Sequence, residues 1–66
     1  MMETRPLRSS AIASAGYDEE TRQLEIEFTS GRSYTFDNVP KDVFDGLVNA
    51  DSPGRFFASN IKGVYG

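Results

Sequence analysis

Sixty-six residues with a formal charge of −3, from seven basic and ten acidic side chains, describe one domain with one small core, near the size at which burial only just offsets chain entropy. The chain has neither Cys nor His, which excludes a disulfide framework, a thiolate nucleophile, a Cys-ligated metal and the usual general base at neutral pH. No apolar run approaches the roughly 20 residues that span a bilayer, and the segment from Met1 to Pro6 has no apolar stretch that reads as a signal peptide, so a cytoplasmic protein without membrane contact is expected.

Ile12 to Tyr17 is a short apolar run followed by the acidic turn Asp18-Glu19-Glu20-Thr21, and it predicts a first strand over residues 10–17. Leu24, Ile26 and Phe28 alternate with Glu25 and Glu27, the period of two that marks a strand with one buried face, here over residues 23–29. Tyr34 and Phe36 alternate with Ser33 and Thr35 in the same way and predict a third strand over 32–37. Parity then chooses the turn, because directly opposed residues share a face. A two-residue Ser30-Gly31 turn sets Glu27 against Tyr34 and puts the aromatics on the acidic side. A three-residue loop, Thr29-Ser30-Gly31, opposes Ile26 to Tyr34 and Leu24 to Phe36, and it unites the apolar face. Gly31 suits the left-handed third position of such a loop. The expected sheet is a three-stranded antiparallel meander.

The next segment is helical. Pro40 suits a first helical position, and Val39, Val43, Leu47 and Ala50 form a stripe that Phe44 and Val48 widen. Gly46 costs this helix about 1 kcal/mol relative to Ala, which suggests close approach to the sheet. Ser52 reads as an N-cap with Pro53 at the first position of a second helix. That helix presents Phe57 and Ile61 on one side, with Phe56 and Asn60 displaced by one, and stops at Gly63; Val64 and Tyr65 form a tail that packs back. The fold class is α+β: a three-stranded antiparallel meander followed by two short helices packed on one face, in a single domain over 1–66 with an ordered core over 5–65.

Charge is unevenly spread. Residues 17–30 carry Asp18, Glu19, Glu20, Glu25 and Glu27 against Arg22, a local −4, whereas residues 1–16 and 51–66 each come to +1. An acidic chain is a poor starting point for nucleic-acid binding, which draws its affinity from cations that displace counterions on phosphates. A local basic patch where the two chain ends meet remains compatible with it.

The candidate site residues each carry two readings. Ser52 is either a plain helix cap or, with Gly54 and Arg55, part of an anion site built from first-turn amides and a cation. Phe56 and Asn60 lie on the same helix, and Lys62 lies near its far end, roughly 10 Å from Arg55 at 1.5 Å per residue. Ser9 and Ser10 are hydroxyl donors to a ligand or polar residues at a strand entry. Tyr34 and Phe36 are core aromatics or a stacking platform. Arg5, Arg8 and Arg32 are solvated cations in the plainer reading. The acidic hairpin is a turn, or a weak cation site.

Taken in order, Ser9-Ser10-x-Ile12, Gly16-Tyr17-Asp18, Leu24-x-Ile26-x-Phe28, Gly31, Tyr34-x-Phe36, Val39-Pro40 and Ser52-x-Gly54-x-Phe56-Phe57-x-x-x-Ile61 resemble the KTSC domain family. The resemblance covers the chain from about Arg5 to Tyr65. That family occurs at the C-terminus of some lysyl-tRNA synthetases and as free-standing small bacterial and phage proteins. That family has no assigned enzymatic activity, and its fusion to a synthetase implies RNA as a partner; with no His or Cys and with its carboxylates on a turn and an exposed strand face, this chain is itself expected to be no enzyme and to use no metal or cofactor. Many members have Asn where this chain has Ala58, with Asn60 as the candidate substitute. The leading expectation is therefore a non-catalytic module that binds RNA (tRNA-like) or another phosphate-bearing ligand through Arg55, Lys62, Arg5, Arg8 and nearby aromatics. The alternative is a protein–protein interaction domain using the sheet edge or an exposed aromatic of the last helix.

Overall fold

A computed structural model describes residues 2–65. Its elements are β1 (Met2–Pro6), β2 (Ile12–Asp18), β3 (Gln23–Phe28), β4 (Ser33–Phe36), α1 (Lys41–Asn49) and α2 (Pro53–Asn60). The strands form one antiparallel sheet in the order β1-β2-β3-β4, and helices follow it, so the fold class is α+β as expected. Among the described residues no helix is long and apolar enough to cross a membrane.

The sheet has four strands, not three. β1 escapes a reading based on alternation because all five of its residues are exposed and no apolar side chain marks a buried face. Main-chain pairing to β2 holds it, from Met2 opposite Asp18 to Pro6 opposite Ser14. Gly16 makes room for it: a Cβ there would stand 2.9 Å from the Met2 Sδ and 3.2 Å from the Thr4 Oγ1. Glu3 and Arg5 form an ion pair at 2.8 Å along β1. The second strand starts at Ile12 rather than at Ser10, because the Ser9 hydroxyl accepts hydrogen bonds from the amides of Ala11 (3.1 Å) and Ile12 (3.2 Å) and turns the chain into β2. A register shift between Ile12 and Ser14 then lets Ile12 and Ala15, an odd number apart, both reach the core.

The hairpin between β3 and β4 has the register that parity requires, with Ile26 opposite Tyr34 and Leu24 opposite Phe36. The Phe28 amide donates to the Arg32 carbonyl at 2.8 Å, which closes the three-residue loop, and Gly31 takes φ of 97° within it. In the preceding turn, Asp18 Oδ1 accepts from the amides of Glu20 (2.9 Å) and Thr21 (3.4 Å). The Glu20 amide is the main reason this carboxyl lies below its ordinary value. Glu19 pairs with Lys41 at 2.7 Å and holds that ammonium above its ordinary value. The acidic hairpin is thus built as a turn, and among the described residues no group of three or more carboxylates is placed to hold a metal ion.

Pro40 has extended backbone and precedes α1 rather than opening it. Ser52 caps α2 and Pro53 stands at its start, as its sequence predicts. α2 ends at Asn60, and the amides of Ile61 and Lys62 both donate to the Phe57 carbonyl. Gly63 lies beyond that end with φ of 80°. Gly46 does not face the sheet: a Cβ there would stand 2.6 Å from the Phe56 Cζ, so it is the second helix that approaches.

The buried core joins Ile12, Ala15, Tyr17, Leu24 and Ile26 of the sheet to Val39, Phe44, Leu47 and Ile61. Tyr17 stacks on Phe44 with ring centroids 5.3 Å apart and planes 17° apart. Its hydroxyl donates to the Val39 carbonyl, while the Val39 amide donates to the Arg22 carbonyl at 3.0 Å. A Tyr17→Phe substitution keeps the stacked ring and leaves that buried carbonyl without its donor. It should lower unfolding free energy by about 1–3 kcal/mol, as read from urea denaturation.

Candidate binding cleft

α1 and α2 contain nine and eight residues, so each is only about 12–14 Å long. Two such helices cover the middle of the sheet and leave its β4 side open. There the apolar face of the hairpin, with α2, forms a cleft of about 530 Å³. Its walls are Phe28, Tyr34, Phe36 and Phe57, and Arg32 and Lys62 stand on its lips. The rings meet edge to face: Phe28 with Tyr34 at 5.6 Å, Phe28 with Phe57 at 5.3 Å and Phe36 with Phe57 at 5.7 Å. This arrangement is the favourable one for aromatic quadrupoles, and it makes the wall stiff. Tyr34 is 48% exposed, so it is a platform at the edge of the core rather than part of it.

The lips are fixed by main-chain bonds. Arg32 accepts from the Phe28 amide, and Lys62 donates from its amide to the Phe57 carbonyl at 2.9 Å. Thr29, also in the lining, donates its hydroxyl to the Ser10 carbonyl at 2.9 Å, which ties the hairpin loop to the segment entering β2. Arg5 and Lys41 are each engaged by a glutamate; among the described residues neither Arg32 nor Lys62 has an ion-pair partner. Among the described residues none that lines the cleft is acidic, although the chain contains ten acidic residues.

Of the residues singled out from sequence, the structure brings Tyr34 and Lys62 together in this cleft. Ser9 and Gly54 meet nearby: a Cβ on Gly54 would lie 3.5 Å from the Cβ of Ala11, itself a lining residue, and 4.0 Å from the Ser9 hydroxyl. Ser10 contributes its carbonyl to Thr29. Ser52 accepts from the Arg55 amide at 3.5 Å, so that amide is engaged in capping and is not an open anion donor; the Arg55 side chain is exposed. Phe56 packs against Gly46 and belongs to the helix–helix contact. The Asn60 side-chain amide donates to the Phe56 carbonyl at 3.2 Å, which ties it back to its own helix. On a helix turning 100° per residue, positions 58 and 60 point about 160° apart, so Asn60 does not take over a contact made from the position of Ala58. Arg5 sits on β1, at the opposite edge of the sheet from β4, so it does not join Lys62. Phe28, Phe36, Phe57 and Arg32 complete the cleft. The shared parity of Phe28 and Phe36 was visible in the sequence, but it reads equally well as core.

The KTSC domain profile matches residues 8–65. A crystal structure of a KTSC domain protein from Yersinia pestis superposes with a TM-score of 0.93 at 40% identity, covering 98% of this chain and 92% of that one. An uncharacterised protein of Stutzerimonas stutzeri is 46% identical over 56 residues, 85% of this chain and 79% of its own length. A lysine–tRNA ligase of Nostoc punctiforme is 41% identical over 56 residues, which is 85% of this chain and 10% of the ligase.

Proposed function

The chain belongs to the KTSC domain family, and from that premise we propose that it is a non-catalytic module that binds RNA at the aromatic cleft. The observation that carries this reading is an open wall of four aromatic rings with Arg32 and Lys62 on its lips, neither with an ion-pair partner among the described residues. Every base has a π face to stack, worth about 1–3 kcal/mol per base, and lip cations meet the backbone. The similarity to a tenth of a lysine–tRNA ligase points to the same class of partner. Arg55, exposed on the first turn of α2, extends the path for phosphates beyond the cleft. The non-catalytic reading rests on the carboxylates. The Glu20 amide holds the Asp18 carboxyl below its ordinary value, the wrong direction for a general base near neutral pH.

The test is an anisotropy titration of labelled single-stranded RNA and tRNA across about 50–200 mM salt. Affinity should fall steeply with salt. Arg55→Ala should weaken binding by about 1–2 kcal/mol and flatten the salt slope by roughly one unit, with the fold intact. Absence of binding at low salt would sink the reading. It would favour a second one, which the open edge of β4 supports. Pairing through Arg32 and Tyr34 directs their main-chain groups toward β3, leaving those of Ser33 and Thr35 on the outer edge for an extended peptide.

A further inference from the structure

We propose that the cleft is a pocket for a single unpaired nucleotide, with its base laid against Tyr34 and Phe57 and its phosphate held between Arg32 and Lys62; this rests on the RNA reading above and specifies how that site works. Size is the first argument. A cleft of about 530 Å³ falls within the roughly 300–1,000 Å³ of pockets that hold one small ligand. The hairpin-loop residues Thr29 and Ser30 also belong to its lining, which places the cleft beside the β3–β4 loop.

The second argument is the division of labour within the lining. Edge-to-face contacts hold the Phe28, Phe36 and Phe57 rings against one another and against the core. Tyr34 touches that cluster through Phe28 and keeps about half of its surface in solvent. An aromatic side chain with only two rotatable bonds offers contact area at little entropic cost. A base entering beside Tyr34 therefore meets a wall already in place.

Charge selects the ligand. The two lip cations come from opposite sides, Arg32 from the hairpin and Lys62 from the end of α2, and each has its backbone anchored by a hydrogen bond. Both lack an ion-pair partner among the described residues. None of the described lining residues carries a carboxylate, so Arg32 and Lys62 are the charged side chains among them, in a chain whose total charge is −3. A planar apolar ring bearing one anionic group fits this arrangement. A purely apolar side chain would use the wall and leave both cations idle.

The experiment compares a short single-stranded RNA with the same oligomer carrying no bases, titrated into the whole isotope-labelled protein with ring and amide signals observed. The intact oligomer should shift Tyr34 and Phe57, and the abasic one should bind about tenfold or more weakly, within the range of one lost stacking contact. Tyr34→Leu retains bulk against Phe28 and removes the aromatic face; it should lose the discrimination between the two oligomers. Equal affinity for the intact and abasic oligomers would overturn the pocket while leaving an RNA-binding protein. If neither oligomer binds at low salt, both readings are overturned. Displacement of Tyr34 and Phe57 signals by an extended apolar peptide but not by RNA would overturn the pocket and assign the cleft to a peptide.

Discussion

Replacing Phe44 by alanine is expected to lower the unfolding free energy by about 3–5 kcal/mol, enough to leave much of a domain this small unfolded. Phe44 is 1% exposed and the largest fully buried side chain in the described chain. It is the face on which Tyr17 stacks, so truncation removes both its burial and the surface that holds the Tyr17 ring. The void would lie between the sheet and α1, where Leu24, Ile26 and Leu47 are already fully buried and can move little to fill it. Urea denaturation followed by far-UV circular dichroism measures the change. Ile26→Ala should behave similarly, at about 2–5 kcal/mol. Phe57→Ala should come at the lower end of that range, because Phe57 is only partly buried and lines the open cleft. A Phe44→Ala protein with an unmoved midpoint would show that the layers are not packed as described.

Gly46→Ala tests a conflict between local and tertiary effects. In an isolated helix the change favours folding by about 1 kcal/mol. Here the added carbon would stand 2.6 Å from the Phe56 Cζ and 2.9 Å from its Cε2, and a ring packed against the core has to shift as a body. Overpacking of this kind typically costs about 1–3 kcal/mol, so the expected net effect is destabilising. Phe56→Leu on the Gly46→Ala background removes the obstructing ring tip and should recover part of the loss, giving a coupling energy in a double-mutant cycle. A stabilised Gly46→Ala protein would mean that α2 sits further from α1.

The hairpin was legible because parity is strict. Only an odd loop puts Leu24, Ile26, Tyr34 and Phe36 on one face, and the chain adopts it. The cap at Ser52 followed from local chemistry and is present. β1 was not legible, since an edge strand held by main-chain pairing and exposed at every position leaves no periodic trace. The cleft was half legible. Sequence identifies the apolar face of the hairpin but not how far two short helices reach across it, and that reach decides which aromatics become core and which become wall. Phe56 and Phe57 show the same limit. One residue of helical rotation sends Phe56 to Gly46 of α1 and Phe57 to Phe28 and Phe36 of the sheet, and no local signal says which is which.

Val39 bears on how the molecule moves. Its amide is bonded to Arg22 in the β2–β3 turn, its carbonyl receives the Tyr17 hydroxyl, and its side chain is fully buried. It is also the last sheet-side residue of the core before the chain enters the helices. A hinge at this crossing would have to break both hydrogen bonds and expose the side chain in one event. The helical layer therefore has no inexpensive way to swing off the sheet, and partial opening by layer separation collapses into global unfolding. Breathing motions are expected instead at the β1 edge, which is exposed at every position and has no such clamp.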